Sequence, residues 1–249
     1  MTTNIDIIIP SYRSKELTTL TINSFEKNKS NFNFRYIVVE NAGDESYKED
    51  IVSLNENVVW YTNSCQHTYL SSETNAEAIQ KGIDLVESEL VFICHNDVLA
   101  CHPNWMDFLY SKIQEGCSLV GTVLDNTRIG AVHISGLLVK TEIAREVSCF
   151  PERNSSSEVL LDVGDSYTRH CREKDLKYYC CRNTHNNNIS EEELQEPFNN
   201  FSVDRAVDDA GNVIFVHLGR GTLKQFNQYS KPNKIYFEDW LDFFENYIE

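Results

Sequence analysis

Residues 91 to 99 read VFICHNDVL: an apolar run breaks off at His95, Asn96 and Asp97, then turns apolar again at Val98 and Leu99. A buried strand that ends on an acidic side chain delivers a carboxylate to the edge of a sheet, where a metal ion or a phosphate group can reach it. Asp97 is therefore the candidate metal ligand, set against the plainer role of a turn residue closing a strand. A second apolar run, Asn212 to Val216, leads into His217-Leu218-Gly219-Arg220-Gly221. The planar fork of Arg220 suits a phosphate. A single histidine such as His217 beside an apolar strand reads, taken alone, as a hydrogen-bonded core residue. Polar corners also follow two runs near the start of the chain, with Pro10, Ser11, Tyr12 and Arg13 after the first and Glu40 after the second. A carboxylate in such a corner accepts hydrogen bonds from hydroxyl or N–H groups of a bound ligand. Asp162, closing Leu160-Leu161, and Asp165, ahead of the helical stretch SYTRHCREK, complete the acidic candidates. Asp165 equally suits a helix cap.

The elements that would position these groups are legible as runs and periods. Asp6 to Pro10 and Arg35 to Val39 are β-branched strands, and Val58 to Tyr61 and Leu90 to Cys94 add two more. Between them, Glu16 to Asn28 and Thr74 to Val86 carry apolar residues at helical spacing, the first with Ser14 as its expected N-cap. Strand, helix, strand with a polar corner after each strand predicts parallel βαβ units, whose ligands bind beyond the carboxyl ends of the strands. Further on, a helix is expected over Trp105 to Ile113, strands over Leu119 to Leu124 and Ala131 to Lys140, and a packed helix over Tyr236 to Ile248. Ser64 to Ser72, Pro151 to Glu158 and Asn183 to Glu196 read as loops, the second as a loop or lid. Lys81 falls on a helix, where a lysine usually faces solvent.

Composition excludes several classes. With 22 Lys and Arg against 38 Asp and Glu, the net charge of −16 repels nucleic-acid backbones over most of the surface, so no nucleic-acid partner is expected. A nucleotide remains compatible, because a metal ion and a few local cations decide the field at short range. No apolar run reaches the roughly 18 residues of a membrane span, and the N-terminus lacks the basic and apolar segments of a signal peptide. A cytoplasmic protein without an integral membrane segment is expected. The eight cysteines form no CxxC pair and read as reduced thiols. A zinc set of Cys171, Cys180, Cys181 and His185 is conceivable, but structural zinc sites favour spaced pairs.

Four strings in order, DIIIPSYR, IVVEN, NAEAIQKGIDLVESELVFICHNDV and HLGRGT, resemble glycosyltransferase family 2. Asn75, Gly82-Ile83 and His95-Asn96-Asp97 stand where the family shows an Asn, a Gly-Ile on a helix and a DxD-like triplet. The likeness covers residues 5 to 110 well and the rest more loosely. It implies a GT-A fold, an α/β architecture with a Rossmann-like, mostly parallel central sheet and flanking helices. It also implies one domain over residues 1–249, with 1–110 holding the nucleotide-sugar and 111–249 the acceptor. The implied activity is sugar transfer from a nucleoside-diphosphate sugar to a glycan or other hydroxyl-bearing acceptor, with Mn²⁺ or Mg²⁺ and inversion. Asp97 and His217 would hold the metal; Pro10, Ser11, Tyr12, Arg13, Glu40, Asn75, Asn96 and Arg220 would hold the donor. In LDVGDSYTRHCREK, Asp165 stands four before Arg169 as in one family pattern and Asp162 stands near the usual acidic pair, so spacing leaves both open as the proton acceptor. Two departures are Glu40 where the family usually has Asp, and His95 at the first triplet position, which leaves Asp97 as the main carboxylate. A module that binds nucleotide or glycan without turnover is the alternative these departures invite. Nucleotidyl transfer would require a glycine-rich phosphate loop, which PSYRSKEL lacks.

Overall fold

Ile5, Ile7, Ile8 and Ile9 are all fully buried, so the first strand, β1 (Thr3–Ser11), is covered on both faces and needs no polar alternation. It lies at the middle of a seven-stranded sheet in a computed structural model that describes residues 2–64, 71–153, 160–186, 188–228 and 235–247. Most of the loop expected over Ser64 to Ser72, residues 154–158 of the loop or lid, and Cys65 lie outside the described residues. The chain continues through α1 (Lys15–Lys27), β2 (Phe32–Glu40), α2 (Lys48–Val52), β3 (Val58–Thr62), α3 (Ser72–Asp84) and β4 (Leu90–Cys94). β1 pairs in parallel with β2 on one side and with β4 on the other, and β2 pairs in parallel with β3. The order therefore reverses between β1 and β4, and the crevice beyond their carboxyl ends is a topological switch point.

Beyond β4 the chain forms β5 (Val98–Ala100), α4 (Trp105–Gln114), β6 (Leu119–Gly121), β7 (Leu124–Asp125), β8 (Ala131–Val132), β9 (Gly136–Lys140) and α5 (Thr141–Glu146). Each of the two long strands expected here is divided in two: β6 and β9 enter the main sheet, while β7 and β8 form a separate ribbon. The break after Val132 coincides with a turn in which the Ser135 N–H donates to His133 Nδ1. β9 runs antiparallel to both β4 and β6, the one reversed strand in a mostly parallel α/β sheet. α6 (Asp165–Glu173) and β10 (Tyr178–Cys180) follow, and β10 closes the sheet beside β6. A second sheet has the order β11-β12-β13-β5, built from β11 (Arg182–Asn183), β12 (Asp204–Val207) and β13 (Val213–His217) with β5. Among its described residues, the expected loop over Asn183 to Glu196 is irregular apart from its first residue and a turn of 3-10 helix at Glu191–Glu193. α7 (Gly221–Gln225) and α8 (Phe237–Tyr247) end the described chain.

Three apolar clusters hold these layers together. Ile22 and Phe25 of α1 and Trp105 of α4 pack on one face of the main sheet; Ala76, Ile79 and Ile83 of α3 pack with Tyr167 of α6 on the other. α8 buries Trp240, Phe243 and Phe244 against Leu99 and Val216 of the second sheet, as an amphipathic helix should. Gly82 lets α3 settle on β1, since a Cβ there would stand 2.5 Å from Ile8 Cγ2. Ser14 precedes α1, but its hydroxyl donates to the Tyr12 carbonyl instead of capping the helix; Ser71 does cap α3 through the Thr74 N–H. The conceivable zinc set does not assemble. Cys180 and Cys181, successive along an extended segment, pack on opposite faces of the sheet, and His185 lies against Asp204. No disulfide joins the described cysteines, and no helix among the described residues is long and apolar enough to cross a membrane.

Candidate metal centre and nucleotide cleft

His95, Asn96 and Asp97 form the turn between β4, in the main sheet, and β5, in the second sheet. This turn is tied down from both sides. Thr21 Oγ1 of α1 lies 2.8 Å from the Asn96 carbonyl oxygen and 2.9 Å from that of Val98. The Leu218 N–H donates to the Asp97 carbonyl at 2.9 Å, and the Gly221 N–H donates to Asp97 Oδ2 at 2.8 Å. Asp97 Oδ1 is left facing two imidazoles. It lies 3.4 Å from His217 Nε2 and 3.9 Å from His95 Nδ1, and those two nitrogens are 3.4 Å apart. A triangle with these sides has its centre about 2.1 Å from each corner, the bond length of a first-row divalent ion to nitrogen or oxygen. His95, Asp97 and His217 are the one group of metal-binding side chains so clustered among the described residues.

Hydrogen bonds behind the ligand atoms orient both rings. His217 Nδ1 lies 3.3 Å from Asp204 Oδ2, which holds a proton on Nδ1 and turns Nε2 toward the triangle. Asn75 Nδ2 lies 3.2 Å from His95 Nε2, a contact that fixes the orientation of the ring. Burial pushes the pKa of His95 down to about 4, so this ring is neutral, as a ligand must be. Burial also disfavours charge on Asp97 and His217, yet their attraction for each other wins: Asp97 is held well below the usual carboxylate range. Asp204 joins Asp97 in holding His217 well above the usual imidazole value, so a metal ion binding there would displace the Nε2 proton.

A cleft of about 550 Å³ surrounds this centre. Pro10, Ser11 and Tyr12 from the end of β1, Asn75 of α3, Asn96, Asp162 and Arg220 all line it. Asn41 lines it where the sequence pointed to Glu40. Glu40 is fully buried behind that wall: Oε1 accepts the Ala42 N–H at 2.7 Å, and Oε2 accepts the Arg13 N–H at 3.0 Å and the Tyr47 hydroxyl. Burial raises its pKa. Arg13 contributes its backbone to that network, while its guanidinium lies 5.9 Å from the centre of the Tyr12 ring. Arg220 stands at a φ of 61°, a left-handed conformation that costs a non-glycine residue about 1–2 kcal/mol. Lys81 is exposed on α3.

The two acidic candidates near α6 part company. Asp162 lines the cleft, where burial opposes its charge but the Ser72 hydroxyl, the Val163 N–H and Arg128 keep its pKa below the usual value. Asp165 is 2% exposed and does not line the cleft, gripped by Arg128 through Nε at 2.6 Å and Nη2 at 3.2 Å. It also accepts the Asp162 N–H at 2.8 Å. Sequence reasoning passed over four groups here: His95 as a ligand, Asp204 behind His217, and His133 and His185, which both line the cleft. The HND triplet carried a signal for the first. For the others the sequence offered only isolated polar residues in short strands and turns. A second chamber of about 640 Å³ adjoins the cleft and shares His185, Asp204, Gly219 and Arg220 with it.

No protein-family model matches this sequence, and no curated protein does. Among solved structures, it is similar to a mannosyltransferase from Pyrobaculum calidifontis in complex with GDP-Man and Mn²⁺ (13% identity, TM-score 0.47, covering 59% of this chain and 47% of that one). It is similar to S. aureus TarS in complex with UDP-GlcNAc (15%, 0.43, 58% and 47%). A third is glucosyl-3-phosphoglycerate synthase from Mycobacterium tuberculosis in complex with Mn²⁺ and UDP-Glc (12%, 0.48, 72% and 68%). The first two matches span about half of those chains. Each is a likeness of backbone arrangement over part of this chain.

Proposed function

We propose that this protein is a metal-dependent glycosyltransferase that moves a sugar from a nucleoside-diphosphate donor to a hydroxyl acceptor, with inversion. The observation that carries this reading is the triangle of His95, Asp97 and His217 at the switch point of the sheet, beside a cleft large enough for a nucleotide-sugar. Its two imidazoles and one carboxylate suit Mn²⁺ better than Mg²⁺, which prefers oxygen throughout. When bound, such an ion supplies charge to the departing diphosphate without proton transfer. The chain supplies the rest. Ser11, Tyr12 and Asn41 border the space for the nucleoside, with Glu40 bracing the loop that carries them. Arg220 offers its guanidinium to the diphosphate, and Asp162 offers a carboxylate to sugar hydroxyls.

The test is calorimetry with UDP and GDP in the presence of Mn²⁺ or Mg²⁺, followed by nucleotide release from UDP-glucose and GDP-mannose. Nucleotide binding that requires the metal, tighter with Mn²⁺, and turnover that Asp97→Ala lowers at least about a hundredfold are expected. Turnover indifferent to a chelator or to Asp97→Ala refutes the assignment. Metal-dependent binding without sugar release would instead identify a binding module.

A further inference from the structure

The two chambers meet at His185, which the donor site does not require, and at Asp204, which also supports His217. His185 Nδ1 lies 3.4 Å from Asp204 Oδ1, while the other carboxylate oxygen, Oδ2, is taken by His217. Asp204 is thereby held between two rings. Nε2 of His185 has no hydrogen-bond partner among the described residues, and the side chain is 39% exposed where both chambers have it in their walls. A nucleotide-sugar filling the metal cleft leaves the adjoining chamber for the acceptor. The attacking hydroxyl must then sit where the two spaces join.

Resting on the glycosyltransferase reading, we infer that His185 is the catalytic proton acceptor and that Asp204 positions it, with the acceptor seated in the second chamber. The acceptor oxygen attacks the anomeric carbon as the bond from that carbon to the diphosphate oxygen breaks, its electron pair leaving with the nucleoside diphosphate. The hydroxyl proton passes to His185 Nε2, and the resulting imidazolium is stabilised by Asp204 until the proton returns to solvent. Asp204 raises the basicity of His185, whereas hydrogen bonds to Asp162 lower that of the competing carboxylate. Asp162 lines the metal cleft alone and not the second chamber.

The experiment uses the full chain with Mn²⁺ and UDP-glucose or GDP-mannose, water standing in for the acceptor. His185→Ala should lower nucleotide release by about 10²- to 10⁴-fold, the usual worth of a general base. Its affinities for Mn²⁺ and for UDP or GDP should stay within about threefold of wild type, and free imidazole should restore part of the rate. A variant that keeps the wild-type rate, or a loss that imidazole does not repair, overturns the inference. So does a loss confined to Asp162→Asn. Wild-type protein that binds Mn²⁺ and nucleotide normally separates this outcome from failure of the underlying reading, in which that binding is itself missing.

Discussion

Replacing Gly221 by alanine tests the metal centre through a single methyl group. The backbone of Gly221 is not left-handed and it begins α7, so alanine on helix propensity alone would be favoured by up to about 1 kcal/mol. The surroundings reverse the sign. A Cβ at this position would stand 2.4 Å from Asp97 Cβ, 2.8 Å from Oδ2 and 3.0 Å from Cγ. Carbon atoms settle about 3.5–4.0 Å apart, so the Asp97 side chain must retreat by about 1 Å. That retreat breaks the Gly221 N–H bond to Oδ2, at a cost of about 1.5–3 kcal/mol for a charged acceptor. It also moves Oδ1 five times further than the roughly 0.2 Å that metal–ligand distances tolerate. Mn²⁺ affinity should fall about 10- to 100-fold in a calorimetric or paramagnetic-resonance titration, with a lower unfolding midpoint. Gly219→Ala is the control. It carries the left-handed penalty, with φ of +69°, but its Cβ meets nothing closer than His217 Cε1 at 4.0 Å. It should lose about 1 kcal/mol of stability and keep its metal affinity. Gly221→Ala protein that binds Mn²⁺ like wild type would show that Asp97 does not need its present position, and the argument from the triangle would fail.

Two further outcomes follow from groups on either side of the centre. Asp6, buried within β1, is disfavoured as an anion by burial, but Arg35 and the N–H groups of Glu87 and Ser88 outweigh that and hold its pKa below the ordinary 3.8. A depressed folded-state pKa means stability that is present above pH 3.8 and lost as pH falls through the folded value. Asp6→Asn should therefore cost about 3 kcal/mol in urea unfolding at pH 7, with the gap to wild type closing in acid; a gap independent of pH would contradict the assignment. Arg220→Gly relieves a left-handed residue and should raise stability by about 1 kcal/mol. The same change should weaken UDP or GDP binding about tenfold in the presence of Mn²⁺, and unchanged affinity would remove Arg220 from the diphosphate site.

What was legible in the sequence is what depends on local pattern. The apolar runs of β1, β2 and β4 and the helical spacing of α1 and α3 place the polar corners at one end of the sheet, and those corners do line one cleft. What was hidden depends on partners distant in sequence. Glu40 looked like a ligand contact because it ends a strand in a polar corner. It turns inward because the Tyr47 hydroxyl and two backbone N–H groups satisfy it there. Asp162 and Asp165 looked interchangeable at three residues' separation, yet the start of α6 sends Asp165 to Arg128 while Asp162 stays in the cleft. The short, polar β12 gave no periodic signal, so Asp204 was invisible.

The deeper reason that the centre forms lies in the seam between the sheets. β4 ends in the main sheet and β5 begins the second, so the His95-Asn96-Asp97 turn is where the two sheets part. β13 pairs antiparallel with β5, setting His217 opposite Val98, one residue beyond Asp97. Side chains alternate faces along a strand, so a slip of one residue in this pairing would turn His217 away and bring Val216 or Leu218 into its place. The apolar neighbours prevent that slip: Val216 is buried with Leu99 against Trp240 of α8, and Phe215 stacks with Trp105 on the main sheet. The register that buries these groups is the one that aims His217 at Asp97. Packing of α8 far from the cleft thus fixes the ligand geometry, which is why the third corner of the triangle is set by a segment more than a hundred residues further along the chain.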